Sequence, residues 1–356
     1  VRDDTQALQS WIDAERRPGN RVPDCLQPHT YVIRDTLRVG RSMGLRLAGA
    51  GGPNRSPNPG WDSVRVGTIL EWQGPADKPM IEVSGATCLV LHGLNLVGLA
   101  NHGILFRHGS GGTLNIAIRD CSFMGMKVGV QCGTEHGEQT CANITSDNCH
   151  FEGISEACYR TVNSQSLEHL FLRPKFANSP IAIDVQAGGD VTAIGGGTYE
   201  VKTLLRLGDV ASNTRGFDFS SLRIDGDGTR TQWLQFVDKK TPKTYGQIRF
   251  VSMSQNAGQL TSEHPLMEVA PGSRVICEAC SFHAEPKLRG GMLAHIHSTD
   301  KAAGELIVNY CDGIGGQFLK DYVKLTGSRS RFAFQKCGTL YGPTRSLSNF
   351  EEDTNE

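Results

Sequence analysis

Asp120-Cys121-Ser122-Phe123, Asn148-Cys149-His150-Phe151 and Ala279-Cys280-Ser281-Phe282 are three copies of one short pattern. With the cysteine as register mark, equivalent positions fall at Leu94, Cys121, Cys149, Pro174, Gly197, Leu222, Met253, Cys280, Cys311 and Cys337. The interval is about 27 residues, which is the spacing of a solenoid. Two residues after the marks stand Leu96, Phe123, Phe151, Phe176, Tyr199, Ile224, Gln255, Phe282, Gly313 and Thr339, most of them large and apolar. Each copy is therefore expected to close one coil, with mark and aromatic facing a shared interior.

The rest of each coil follows from alternation. Segments such as IAIDVQA (181–187), LLRLG (204–208) and WLQFVD (233–238) read as first strands, and LNIAIRD (114–120), ANITSDN (142–148) and RVICEA (274–279) as second strands. Neighbouring side chains on a strand point to opposite faces, so Ile183 and Val185 are expected inside and Asp184 outside. A solenoid lengthens in one dimension, so the 356 residues are expected to form one all-β domain over 1–340, a right-handed parallel β-helix of about ten coils. Asp3 to Ala14 alternates like an amphipathic helix, with Ala7, Leu8, Trp11 and Ile12 on one face. A helix over 4–15 is the expected lid on the open apolar end. The acidic end of 341–356 is expected to be a partly disordered tail.

The strings DDTQALQSWIDA (3–14), PHTYVIRDTLRV (28–39), LRLAGAGG (45–52) and GTILEWQG (67–74) resemble the N-terminal segment of pectate-lyase-like right-handed parallel β-helix proteins. That superfamily includes polysaccharide lyases, glycoside hydrolases and phage tailspikes. The resemblance implies a glycan cleft along one sheet. Its tailspike branch suggests a homotrimer, and its glycan-acting members imply an extracellular or cell-surface location. No signal sequence stands in this chain, and the lyase strand pattern around a WIDH-like motif is absent.

Composition narrows the partners. The 36 basic and 37 acidic residues leave a formal net charge of −1, without the basic footprint that nucleic acid or an anionic membrane requires. No apolar run approaches the roughly 20 residues needed to cross a bilayer. The 11 cysteines are expected mainly as stacked inward thiols, with Cys121 and Cys149 near enough on neighbouring coils to bond. No zinc site is expected.

If the first strands stack in register, their outward residues form one stripe: Glu82, Arg107, Gln131, Arg160, Asp184, Arg206, Gln235, Glu268, His295, His297 and Lys324. Carboxylate, amide and guanidinium groups grip sugar hydroxyls and carboxylates, so the stripe reads as a substrate groove or as a solvated ladder. Hydrolysis of a glycoside needs two carboxyl groups roughly 5–9.5 Å apart. Asp184, Arg206, Asp225 and Asp227 are the catalytic candidates, because the turn carrying the two later aspartates leads back toward Gln235. Calcium is the one cofactor the Asp225–Asp227 turn suggests, though a plain turn made of good turn formers is the better explanation of that stretch taken alone. Three readings stay open: a glycoside hydrolase, a polysaccharide lyase that uses arginine or lysine in β-elimination, and a non-catalytic glycan-binding or structural β-helix.

Overall fold

The computed structural model describes residues 2–15, 25–51, 67–137, 140–210, 216–225, 231–239, 246–256, 265–282, 293–312 and 323–335. Its only helix among these, Thr5–Glu15, precedes a parallel β-solenoid of about nine turns, close to the ten coils expected. The second strands stack into one sheet running from Cys25–Leu26 to Arg331–Gln335. The first and third strands share another, because two segments, Lys175–Ala187 and Gly197–Val210, run unbroken through the corner between them. Asp227, Gly313, Cys337, Thr339 and the 341–356 tail lie outside the described residues.

The register follows the repeat marks with one correction. Ser122 pairs with His150, His150 with Lys175, Lys175 with Gly197, and Gly197 with Arg223. The mark in that coil is therefore Gly196, not Gly197, and its inward partner is Thr198 rather than Tyr199. Thr198 is buried while Tyr199 is not. Gly195-Gly196-Gly197 offers no side chain by which a sequence pattern could be phased.

Three columns of left-handed residues set the corners. The residue before each mark has positive φ: Gly93, Asp120, Asn148, Arg173, Gly195, Ser221, Ser252, Ala279 and Tyr310, most of them near +50°. A second column kinks the start of the second strands at Cys88, Asn115, Asn143, Glu168 and Asp190, and a third follows the third strands at Gly98, Gly125, Gly153, Asn178 and Glu200. Asn and Asp tolerate this region best, so rungs carrying them also bond to each other. Asn148 donates to Asp120 at 2.7 Å and Asn143 to Asn115 at 3.1 Å.

Inside, one continuous core extends from Leu8 to Cys311. Phe123, Phe151 and Phe176 stack rung on rung, with ring centroids 4.7 and 5.4 Å apart. Cys121, Cys149, Cys280 and Cys311 are buried free thiols, so the Cys121–Cys149 bond is not formed. Burial pushes the Cys121 thiol up to about 12. Cys277-Glu278-Ala279-Cys280 does have the CxxC spacing of many metal and redox sites, which the expectation of no zinc site must accommodate. Both cysteines are buried in the core, and no group of three potential metal ligands forms among the described residues.

The N-terminal helix closes the solenoid through polar groups as well as Leu8 and Ile12. An exposed strand edge invites pairing with another chain. Here Asp4 exchanges bonds with the Val32 backbone, both at 2.8 Å, and Thr5 Oγ1 accepts from the Arg34 amide at 2.8 Å. The Gln9 amide imitates a neighbouring strand: it accepts from Arg38 N at 2.8 Å and donates to Arg38 O at 3.0 Å. No helix among the described residues is long and apolar enough to cross a membrane.

Candidate functional site

The first strands align the predicted stripe into a column. Arg38 pairs with Glu82, Glu82 with Leu105, Leu105 with Gln131, Gln131 with Arg160, Arg160 with Asp184, and Asp184 with Arg206. Arg206 pairs with Gln235, the next strand brings Glu268 level with His295, and His295 pairs with Lys324. Arg107 is displaced from this column: it pairs with Ser84, and Leu105 holds the rung. Two adjacent inward positions, such as Trp233 and Leu234 or Cys158 and Tyr159, precede the rung residue, so alternation restarts there. One consequence is that His102, at the start of its strand, also lies on the outer side.

At the centre of the column Asp184 is gripped from two sides. Arg206 donates from Nε to Oδ1 at 2.9 Å and from Nη2 to Oδ2 at 2.8 Å, while Arg160 Nε donates to Oδ2 at 2.9 Å. Gln186, two residues along on the same face, donates to Oδ2 at 3.0 Å. The Asp184 side chain has no exposed surface. Burial alone would raise its pKa, but the bonds and charges of Arg206 and Arg160 outweigh it, and the carboxyl is held below its ordinary value. Arg206, bonded to Asp184, is raised in turn. Such a carboxylate does not take up a proton readily; it fixes two guanidinium groups, each of which has N–H donors beyond those bonded to Asp184. Arg160 also bonds Glu156 at 3.0 Å, an exposed carboxylate in the preceding turn.

Asp225 does not join this group. It pairs with Tyr199, seven positions before Arg206 along the Gly197–Val210 strand, and forms an ion pair with Arg223 at 2.7 Å.

A second group lies farther along the same column. Glu268, almost fully buried, pairs with the Lys239 ammonium and accepts from Phe236 N at 3.3 Å. His295 and His297 flank inward Ile296, their ring centroids 3.9 Å apart, and His295 Nε2 bonds Thr326 Oγ1 at 2.9 Å. Burial, then His297 and the nearby lysines, pushes His295 down to about 4. His297 is lowered mainly by burial, against the opposing pull of Glu268. His297 Nε2 is enclosed and has no hydrogen-bond partner among the described residues.

The remaining stripe members are placed individually. Gln131 is buried and donates to Gly133 O at 3.0 Å. Buried His102 stands near Arg160 and Glu156, and burial pushes it down to about 4. At the N-terminal end of the column a cavity of about 410 Å³ opens between Gln6, Gln9 and Asp13 of the helix and Asp35 and Arg38 of the first rung. Glu156, Gln186, Lys239 and His102 escaped the sequence pattern, since three of them lie in turns or at strand starts. Gln186 alone carried a signal, being two residues from Asp184.

No family model and no curated protein matches the chain. Solved structures do. A DFA-IIIase from Arthrobacter chlorophenolicus A6 in complex with GF2 superposes with a TM-score of 0.59 at 10% identity, covering 99% of this chain and 96% of that one. The Agl-KA catalytic domain gives 0.53 at 11% identity, over 94% of this chain and 66% of that domain's length. The catalytic unit of a GH87 alpha-1,3-glucanase from Streptomyces thermodiastaticus strain HF3-3 gives 0.50 at 11%, over 97% and 67%. What the chain shares with these proteins is the parallel β-helix fold that its N-terminal strings and its repeat led one to expect.

Proposed function

We propose that the protein binds an extended polysaccharide along the outer face of its first strands and cleaves it there, by hydrolysis. The carrying observation is the unbroken register of hydrogen-bonding side chains from Gln131 through Arg160, Asp184, Arg206, Gln235, Glu268 and His295 to Lys324. Two of the structural neighbours, an alpha-1,3-glucanase and a DFA-IIIase holding GF2, support a carbohydrate ligand on this fold. In this reading Arg160 and Arg206, locked by Asp184, anchor the chain through bidentate donors. Of the carboxyl groups, Asp184 is engaged by its arginines, Asp225 lies off the column and Asp227 lies outside the described residues, which leaves Glu268 as the carboxyl candidate on the column.

β-Elimination from a uronate is the second reading, and the imidazoles of His295 and His297, both held below the ordinary pKa chiefly by burial and lying near Lys239 and Lys324, favour it, since elimination needs a base and a cation for the carboxylate. Incubation with a panel of neutral and uronate polysaccharides tests both. New reducing ends without ultraviolet absorbance mark hydrolysis, the absorbance of an unsaturated uronate marks elimination, and binding without products marks a non-catalytic protein. Wild-type activity in Asp184→Asn, Asp225→Asn, Asp227→Asn and Glu268→Gln alike would sink the carboxylate assignment. Light scattering in the same buffer tests the homotrimer.

A further inference from the structure

We propose that the proton-accepting group of this face is His297, one rung from the Glu268–Lys239 pair, and that the Arg160–Asp184–Arg206 group serves binding alone. The proposal rests on the glycan-cleavage reading and divides the column into an anchor and a reaction centre.

The division follows from what each group has left to do. Asp184 already accepts four hydrogen bonds, three of them from arginine, so both its oxygens are engaged as a charged acceptor. The C-terminal group is the opposite case. His297 carries a ring nitrogen with no partner, on the same outer face, in contact with His295 and one rung from the Glu268 strand. An unpaired nitrogen in an enclosed place is costly and is retained most readily where something is meant to fill it.

Among the described residues, four titratable groups face it. Glu268 comes from the preceding rung, Lys239 from the turn after Gln232–Phe236, and His295 from its own strand. Lys324 comes from the following rung. Burial, with the two lysines, holds the His297 pKa below its ordinary value, while the buried Glu268 pulls the other way and favours an imidazolium as it forms. A base is useful when neutral before the reaction and stabilised after it, and this arrangement supplies both. Lys239, 43% exposed and tethered only to Glu268 among the described contacts, is the side chain free to swing aside for substrate.

The step balances in either chemistry. In hydrolysis His297 Nε2 takes a proton from water as its oxygen bonds to the anomeric carbon. The anomeric C–O bond breaks, the leaving oxygen takes a proton from solvent water, and the hydroxide left behind is neutralised by the proton that His297 then releases. In elimination Nε2 takes the ring proton next to the uronate carboxylate, a C=C bond forms and the C–O bond from the β-carbon to the glycosidic oxygen breaks; the leaving oxygen takes a proton from solvent water and His297 returns its own to the hydroxide left behind. Asp184 and His295 are four rungs apart, about 19 Å at the usual strand spacing. A bound chain must therefore span several sugars, and cleavage falls within it.

The experiment measures kcat and KM for His297→Gln and Arg206→Met on whichever panel polysaccharide the wild type degrades. Thermal unfolding monitors the fold, and His297→Asn serves as a second variant at the first site. General-base removal is expected to lower kcat about 10²–10⁴-fold with KM nearly unchanged, whereas Arg206→Met should raise KM more than it lowers kcat. The acid limb of the wild-type pH profile should disappear in the His297 variants. A folded His297→Gln or His297→Asn that keeps kcat within about fivefold overturns the assignment and leaves the groove reading standing. A wild type that degrades nothing overturns the groove reading and this one with it.

Discussion

Arg206→Met should be the most destabilising substitution on the outer face of the solenoid. The guanidinium makes two charge-assisted bonds to a fully buried carboxylate, at 2.9 and 2.8 Å. Hydrogen bonds to charged groups contribute roughly 1.5–3 kcal/mol each, and removing one partner of a buried pair costs about 3–5 kcal/mol. Arg206 is 28% exposed, and Arg160 and Gln186 still hold Asp184, so the low end applies: about 3 kcal/mol. Unfolding entropy near 2.1 cal/mol/K per residue over 356 residues converts this to a Tm loss of about 4 °C for whole-chain unfolding. Arg160→Met, which loses one bond to Asp184 and one to exposed Glu156, should cost less, about 2 kcal/mol. The sign with pH is fixed by Asp184. Its folded pKa is depressed, so its stabilisation is complete above the unfolded value near 3.9 and is lost as pH falls through the folded one. The gap between wild type and Arg206→Met should accordingly narrow in acid. Differential scanning calorimetry across pH reads all of this. Losses below about 1 °C at neutral pH, a larger loss for Arg160→Met, or a gap that widens in acid would refute the account of a clamped carboxylate.

Other consequences can be measured alongside. Ala279 at φ 52° carries left-handed strain of about 1–2 kcal/mol, so Ala279→Gly should stabilise by about 0.5–1 kcal/mol once unfolded-state entropy is subtracted, and Ala279→Val should destabilise in the same denaturant titration. Gln9→Ala should cost about 1–2 kcal/mol and, by exposing the Arg38 edge, increase self-association seen by light scattering. Thiol labelling of the native protein, mapped by peptide mass, should modify Cys25 and Cys88 and spare Cys121, Cys132, Cys141, Cys149, Cys158, Cys277, Cys280 and Cys311.

The fold was readable because a solenoid writes its core at constant intervals: Cys121, Cys149 and Cys280 with their phenylalanines fixed the phase of most coils. The phase slipped where side chains ran out, at Gly195-Gly196-Gly197. The column on the outer face was readable for the same reason, since alternation around Ile183 and Val185 forces Asp184 outward. Arg107 was misplaced because its strand carries two outward residues after Ile104, and the polar one is not the one on the rung. Grouping was the least accessible level. Joining Asp225 to Asp184 treated a turn as though it folded back on the column, whereas register keeps it seven positions away along the strand. Glu156 and Lys239 enter from turns, where a period carries no information.

The three left-handed columns also bear on how such a chain can diversify. The bend between second and third strands is one left-handed residue in turn after turn, from Asp120 to Tyr310, so an inserted residue there would throw the following coil out of register. The links from first to second strands obey no such rule: one joins Ala187 to Val191, another Phe236 to Gln247. Variation in length is thus admitted on one flank of the column and refused at the opposite corner. A lineage built on this scaffold can remodel the wall beside its ligand by insertion, while the floor beneath keeps its count.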